Sequence, residues 1–214
     1  YYLQNGADEI CFLDISASLE KRNTMLNIVR KTAEEVFIPL TVGGGISSIH
    51  NIRSLLKAGA DKVSINSAAI INQKIVQESS DHFGSQCIVV AVDVKKIEND
   101  WIVFSHGGTI NTNINALKWL EKVQELGAGE ILLTSMDKDG TKSGFDIELL
   151  KVATNILQIP VIASGGVGTK EHFFEGVFEG GASALLAASV FHFNEFSIKE
   201  VKQFLSNKNI KVRL

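Results

Sequence analysis

The chain has 214 residues, 45% hydrophobic and 21% charged, enough for one sizeable core and too apolar for a disordered segment. A net charge of −3 excludes a basic stripe for nucleic acid, and no apolar run approaches the length of a membrane span. Cys11 and Cys87 each lie in an apolar run, where a buried small hydrophobe outweighs a disulfide or a reactive thiol, and this fits a reducing, cytoplasmic setting.

In chain order, YYLQNG at 1–6 reads as the tail of a helix running into a C-cap glycine, so a segment upstream of Tyr1 is expected. Strands are predicted over 9–15, 40–42, 62–65, 87–94, 130–134, 161–163 and 184–187. Helices are predicted between and after them, over 25–36, 49–58, 74–83, 116–126, 146–157, 170–179 and 198–206. The strands are short and continuously apolar, as parallel strands covered on both faces are. The stretch 94–115 breaks the alternation: WIVFS at 101–105, followed by His106-Gly107-Gly108, predicts a small hairpin.

The two parts of the chain repeat one another. GADEI at 6–10 lies over GAGEI at 127–131, Ile38-Pro39 over Ile159-Pro160, and TVGGGI at 41–46 over IASGGV at 162–167, all 121 residues apart. SINSAA at 64–69 and LAASV at 186–190 follow in the same order. This is an internal duplication of half a domain. Four βα units per half make eight, and eight parallel units close into a TIM barrel. Seven are visible, so 1–214 is expected to be one α/β barrel domain whose first strand and helix lie upstream.

Glycines after a strand let backbone N–H groups approach an anion, and the helix start behind them adds its dipole. Two such turns in register, each paired with a small-residue turn (Asn66-Ser67 and Ala188-Ser189), point to two phosphate sites rather than ordinary turns. At the C-terminal ends of barrel strands the polar candidates are Asp14, Asn66, Asp93, Thr134, Ser135, Asp137 and Asp139. Asp93 closes the apolar run IVVAVD, where an unpaired carboxylate is expensive; acid/base work is favoured over a structural pairing with Lys95 or Lys96. The stretch 135–144 lacks the later ligands of a calcium loop, so capping and substrate contacts are expected there. The five histidines share no ligand spacing, so no metal site is expected. Glu9, Lys62 and Glu130 stand at strand starts, where a barrel's charges ordinarily serve stability.

With FLDISAS (12–18), FIPLTVGGGI (37–46), GADKVSINSAA (59–69), FGSQCIVVAVD (83–93), GAGEILLTSMDKDGTKSGFD (127–146), IPVIASGGVG (159–168) and AASVFHF (187–193), the chain resembles the cyclase subunit of imidazole glycerol phosphate synthase. The resemblance implies a TIM barrel that takes ammonia from a glutaminase partner and turns a doubly phosphorylated formimino ribonucleotide into imidazole glycerol phosphate and aminoimidazole carboxamide ribonucleotide. It implies Asp93 as a catalytic aspartate. Gly45, Asn66 and Ser67 would serve one phosphate, and Asp139, Gly140, Gly166 and Ser189 the other. Asp14 and Thr134 would be polar residues of the mouth. Glu9, Lys62 and Glu130 would belong to a charged gate on the ammonia passage, and Asp61 would face the glutaminase. Competing readings are the isomerase of the preceding step, a paralogue passing ammonia to a sugar in polysaccharide synthesis, and a non-catalytic glutaminase-binding protein.

Overall fold

The computed structural model of the chain describes residues 1–13 and 19–214. The first six residues form a turn that Gly6 ends at a φ of 86°. The elements then run β1 (Ile10–Leu13), α1 (Leu19–Glu35), β2 (Leu40–Gly43), α2 (Ile49–Lys57), β3 (Lys62–Ile65), α3 (Ser67–Ile71), α4 (Lys74–Phe83) and a 3-10 turn, Ser85–Cys87. They continue with β4 (Ile88–Ile97), β5 (Asp100–Ser105), β6 (Ile110–Asn115), α5 (Ala116–Glu125), β7 (Glu130–Ser135) and α6 (Ile147–Ile156). The last are β8 (Val161–Ser164), α7 (Lys170–Phe178), β9 (Ala184–Leu186), α8 (Ser189–His192) and α9 (Ile198–Asn207).

The main sheet runs β1-β2-β3-β4-β7-β8-β9, every pair parallel, with helices in the crossovers, and is the curled sheet of an α/β barrel. β5 and β6 form the expected hairpin, paired antiparallel to an extension of β4. This is why β4 runs to Ile97, past the expected end at 94. Among the described residues neither β1 nor β9 has a neighbour on its outer edge, and both are more exposed than β2, which is buried throughout.

Pairing register sorts the strand side chains into two sets, because side chains alternate between faces. Leu40 and Val42, Val63 and Ile65, Ile88, Val90 and Val92, Ile131 and Leu133, and Val161 and Ala163 form the apolar set, all buried in the core with the helices. The other set faces inward and is mixed. Its register aligns Cys11, Thr41 and Lys62, then Leu13, Gly43, Ser64, Val89 and Glu130, and nearer the mouth Asp93, Thr134 and Ser164. The strands are therefore continuously apolar on one face only.

The helix starts are fixed by side-chain caps. Ser48, Asn115, Asp146 and Ser197 each accept a backbone N–H from the first turn of α2, α5, α6 and α9. Cys87 closes the 3-10 turn instead of opening a strand, and both cysteines are free and partly buried. Burial pushes the Cys11 thiol up to about 12, Glu9 adding to the effect and Lys62 opposing it, so it stays protonated at neutral pH.

Gly43 is set by crowding: a Cβ there would lie 2.8 Å from the Leu13 side chain and 2.9 Å from Ser64 Cβ. Gly43→Val should cost about 1–3 kcal/mol in urea unfolding through overpacking of the inner layer. An unchanged midpoint would show that Leu13 yields freely.

Candidate functional site

Three levels of the inner face carry the polar residues. At the N-terminal ends of the strands, Lys62 Nζ lies 3.0 Å from Glu9 Oε2 and 2.6 Å from Glu130 Oε1, reaching from β3 to carboxylates on two other parts of the barrel. Burial alone would pull its pKa down, but hydrogen bonds and charge from Glu130 and Glu9 leave it raised. One level up is Ser64, whose buried Oγ has no hydrogen-bond partner among the described residues. At the mouth, Asn66 Nδ2 donates to Asp93 Oδ2 at 2.9 Å. Burial pushes the Asp93 carboxyl above the usual carboxylate range, the Asn66 hydrogen bond pulls it back, and the charge of Asp139 pushes it up again. Thr134, on β7, is Asp93's register partner.

The strand order places this acid between two glycine turns. β2 and β3 are neighbours on one side of β4, and β8 and β9 on the far side of β7. After β2, Gly44 and Gly45 take left-handed φ values of 105° and 60°. Beside them Ser67 opens α3, and its Oγ accepts the His106 backbone N–H at 2.9 Å. That hydrogen bond occupies an Oγ lone pair and leaves the hydroxyl proton for an incoming acceptor. It also ties the β5–β6 turn to the first glycine site, a contact no motif announces.

After β8, Gly165 and Gly166 repeat the left-handed turn at 91° and 103°. Gly166 is obligatory because a Cβ would lie 2.1 Å from the Gly144 carbonyl, and Gly144 N–H donates to Gly166 O at 2.8 Å. The loop after β7 is thereby laid over the second turn, with Asp139 and Gly140 exposed and open space around Gly140. Ser189, exposed at the start of α8, stands beside it. Phe173 of α7 packs on Phe145, Phe191 and Phe196 with ring centroids 5.6–6.4 Å apart, which holds this half together from beneath.

Other candidates have local work. Asp61 accepts Leu40 N–H at 2.8 Å and is exposed. Asp137 accepts Lys96 N–H at 2.7 Å, the capping expected for that loop. Ser135 is buried and donates to Asp146, outside the mouth. Asp14 lies outside the described residues. Among the described residues no group of three or more His, Cys, Asp or Glu could hold a metal, and no helix is long and apolar enough to cross a membrane.

Residues 1–197 match the histidine biosynthesis protein family. The chain is also 60% identical over 213 residues to the imidazole glycerol phosphate synthase subunit HisF of Endomicrobium trichonymphae, a match covering 99% of this chain and 82% of that protein. The chain belongs to the histidine biosynthesis protein family. Within this family member the duplicated glycine turns, the acid between them and the charged cluster beneath are parts of one barrel interior.

Two stability effects follow. Lys62→Met leaves two carboxylates facing each other without a cation and should cost about 2–3 kcal/mol at pH 7 in urea unfolding. Recovery at pH 4, where carboxylates protonate, would confirm the charge origin, and an equal loss at both pH values would refute it. Asp93 has the opposite sign, since its folded pKa is raised. It favours the fold fully only below the unfolded aspartate pKa of about 3.9, and that contribution is lost as pH rises through the folded value. Asp93→Asn should therefore raise Tm at pH 7 by a few degrees and change little at pH 3; a lowered Tm at pH 7 would contradict the burial argument.

Proposed function

We propose that this protein is the ammonia-dependent cyclase of imidazole glycerol phosphate synthase. The single observation that carries the reading is spatial: an aspartate at the mouth stands between two glycine turns built to hold anions, in a chain 60% identical to a subunit of that enzyme. A substrate with a phosphate at each end, the phosphoribulosyl formimino aminoimidazole carboxamide ribonucleotide, spans the two turns and brings its reacting centre over Asp93. Gly45 and Ser67 serve one phosphate, and Gly140, Gly166 and Ser189 the other. Thr134 and Asp139 line the space between them.

Fixing both ends turns an encounter with ammonia into a positioned reaction, and this supplies much of the acceleration. A carboxylate whose pKa burial raises can then take a proton from the attacking nitrogen and return it as the ring closes and the chain is cleaved. Ammonia reaches the site from a glutaminase partner on the opposite face, near Asp61. It passes the Lys62–Glu9–Glu130 cluster and then Ser64, whose unpartnered hydroxyl offers a hydrogen bond inside the barrel. The products are imidazole glycerol phosphate and aminoimidazole carboxamide ribonucleotide, and no cofactor takes part.

The test is turnover of the bisphosphate substrate with ammonium salts as nitrogen source. Asp93→Asn should lower kcat by about 100-fold or more while leaving KM within a few-fold, the pattern of a group acting in the transition state. Equal loss in kcat and binding, or loss in neither, would sink the assignment. Substrate isomerisation without ammonia would instead favour the preceding step of the pathway.

A further inference from the structure

Asn66 occupies the N-cap position of α3, where an asparagine ordinarily accepts a backbone N–H of the first turn. It makes no such bond. Its Nδ2 is committed to Asp93 at 2.9 Å, and its Oδ1 is buried with no hydrogen-bond partner among the described residues. A side chain that gives up its cap and leaves an acceptor unsatisfied is costly to keep, since a buried orphan costs about 1–3 kcal/mol. Neither feature serves an anion: an amide N–H is given to a carboxylate, and the free end is an acceptor.

Resting on the acid/base reading of Asp93, we propose that Asn66 is a positioning residue whose amide holds the carboxylate through Nδ2–H and, turned over, holds the carboxylic acid through Oδ1. In the first state Asp93 Oδ2 accepts. When the carboxylate takes a proton, an O–H bond forms on Asp93 as the substrate's N–H bond breaks, and the new O–H needs an acceptor. Rotation of the amide by half a turn presents Oδ1 to it, and returning the proton reverses the rotation. Asparagine is suited to this because it carries a donor and an acceptor on one planar group of nearly symmetric shape. The unpartnered end supports the reading, because among the described residues no hydrogen bond there pins the amide in one orientation.

The groups around Asp93 leave this task to Asn66. Phe104 on β5 and Thr134 on β7, its register partners, are uncharged. Asp139 in the loop after β7 acts only to disfavour ionisation, as does burial. Asn66 is the group that draws Asp93 back toward its charged form. Lys62, four residues back at the start of β3, is committed to Glu9 and Glu130.

The experiment is the pH dependence of kcat/KM and kcat for the full-length protein with ammonium salts, comparing wild type with Asn66→Leu and, as a smaller change, Asn66→Ser. Removing the donor should move the acid limb of kcat/KM up by about one pH unit, the amount a hydrogen bond to a charged group provides. It should lower kcat by about 10-fold or more at the optimum, with KM within about 3-fold. Asp139→Asn should move the limb the other way. Carbon-13 NMR titration of the Asp93 carboxyl, identified by its absence in Asp93→Asn, reads the same shift without turnover. An unmoved limb and carboxyl titration in both Asn66 variants, with KM raised instead, would overturn the proposal and return Asn66 to the phosphate site. If Asp93→Asn kept full turnover, the acid/base reading itself would fall, a result separable from any behaviour of Asn66.

Discussion

The parallel register running from β3 through β4 to β7 decides which side chains meet inside this barrel. Val63 pairs with Ile88 and Val89 with Glu130, so Lys62, Ser64 and Asn66 share the inner face with Val89, Ala91 and Asp93 and with Glu130, Leu132 and Thr134. A slip of one residue in β3 would turn Lys62 into the helix-packed layer and Val63 into the lumen, exchanging a satisfied charge for a buried unpaired one. Fold and site are therefore fixed by the same choice. The alternation that buries Val63 and Ile65 also aims the lysine at Glu130 and the asparagine at Asp93.

The duplication gave the architecture a sequence signature that local pattern alone would not have. Short apolar runs are ambiguous between strand and helix, yet two runs repeated in order and each ending in a double glycine read only as βα turns. All seven parallel strands are where the apolar runs place them, and Lys62–Ile65 and Lys74–Phe83 match their expected bounds. α1 begins at Leu19 rather than near Met25, and α3 and α8 were not anticipated. The last two are 5 and 4 residues long, too short to show a period of 3.6. Cys87 shows a second limit: an apolar run does not reveal where a 3-10 turn ends and pairing begins.

Site residues divide in the same way. Asp93 was legible because a carboxylate ending an apolar strand is a local contradiction that asks for a function. The turn glycines were legible because both copies were present. The partner of Asp93 was not, since it is 27 residues away and meets the carboxylate through a diagonal of the register. The same holds for Ser67 and the His106 backbone, 39 residues apart, where the hairpin supplies the contact. The resemblance assigned Asn66 to a phosphate; the structure shows its Nδ2 donating to Asp93.

Charge is treated oppositely at the two ends of the tube. Near the strand starts Lys62 is held between two carboxylates, both of which favour its ionised form. At the mouth, among the described residues, Asp93 has a neutral amide for its hydrogen-bond partner, with burial and Asp139 both working against its charge. A cation in place of Asn66 would satisfy Asp93 and fix it as a carboxylate, which would add stability and remove the proton exchange proposed for it. On the proposed acid/base role, that position stays under-satisfied, and the well-paired cluster beneath, with the apolar layer around it, offsets the cost.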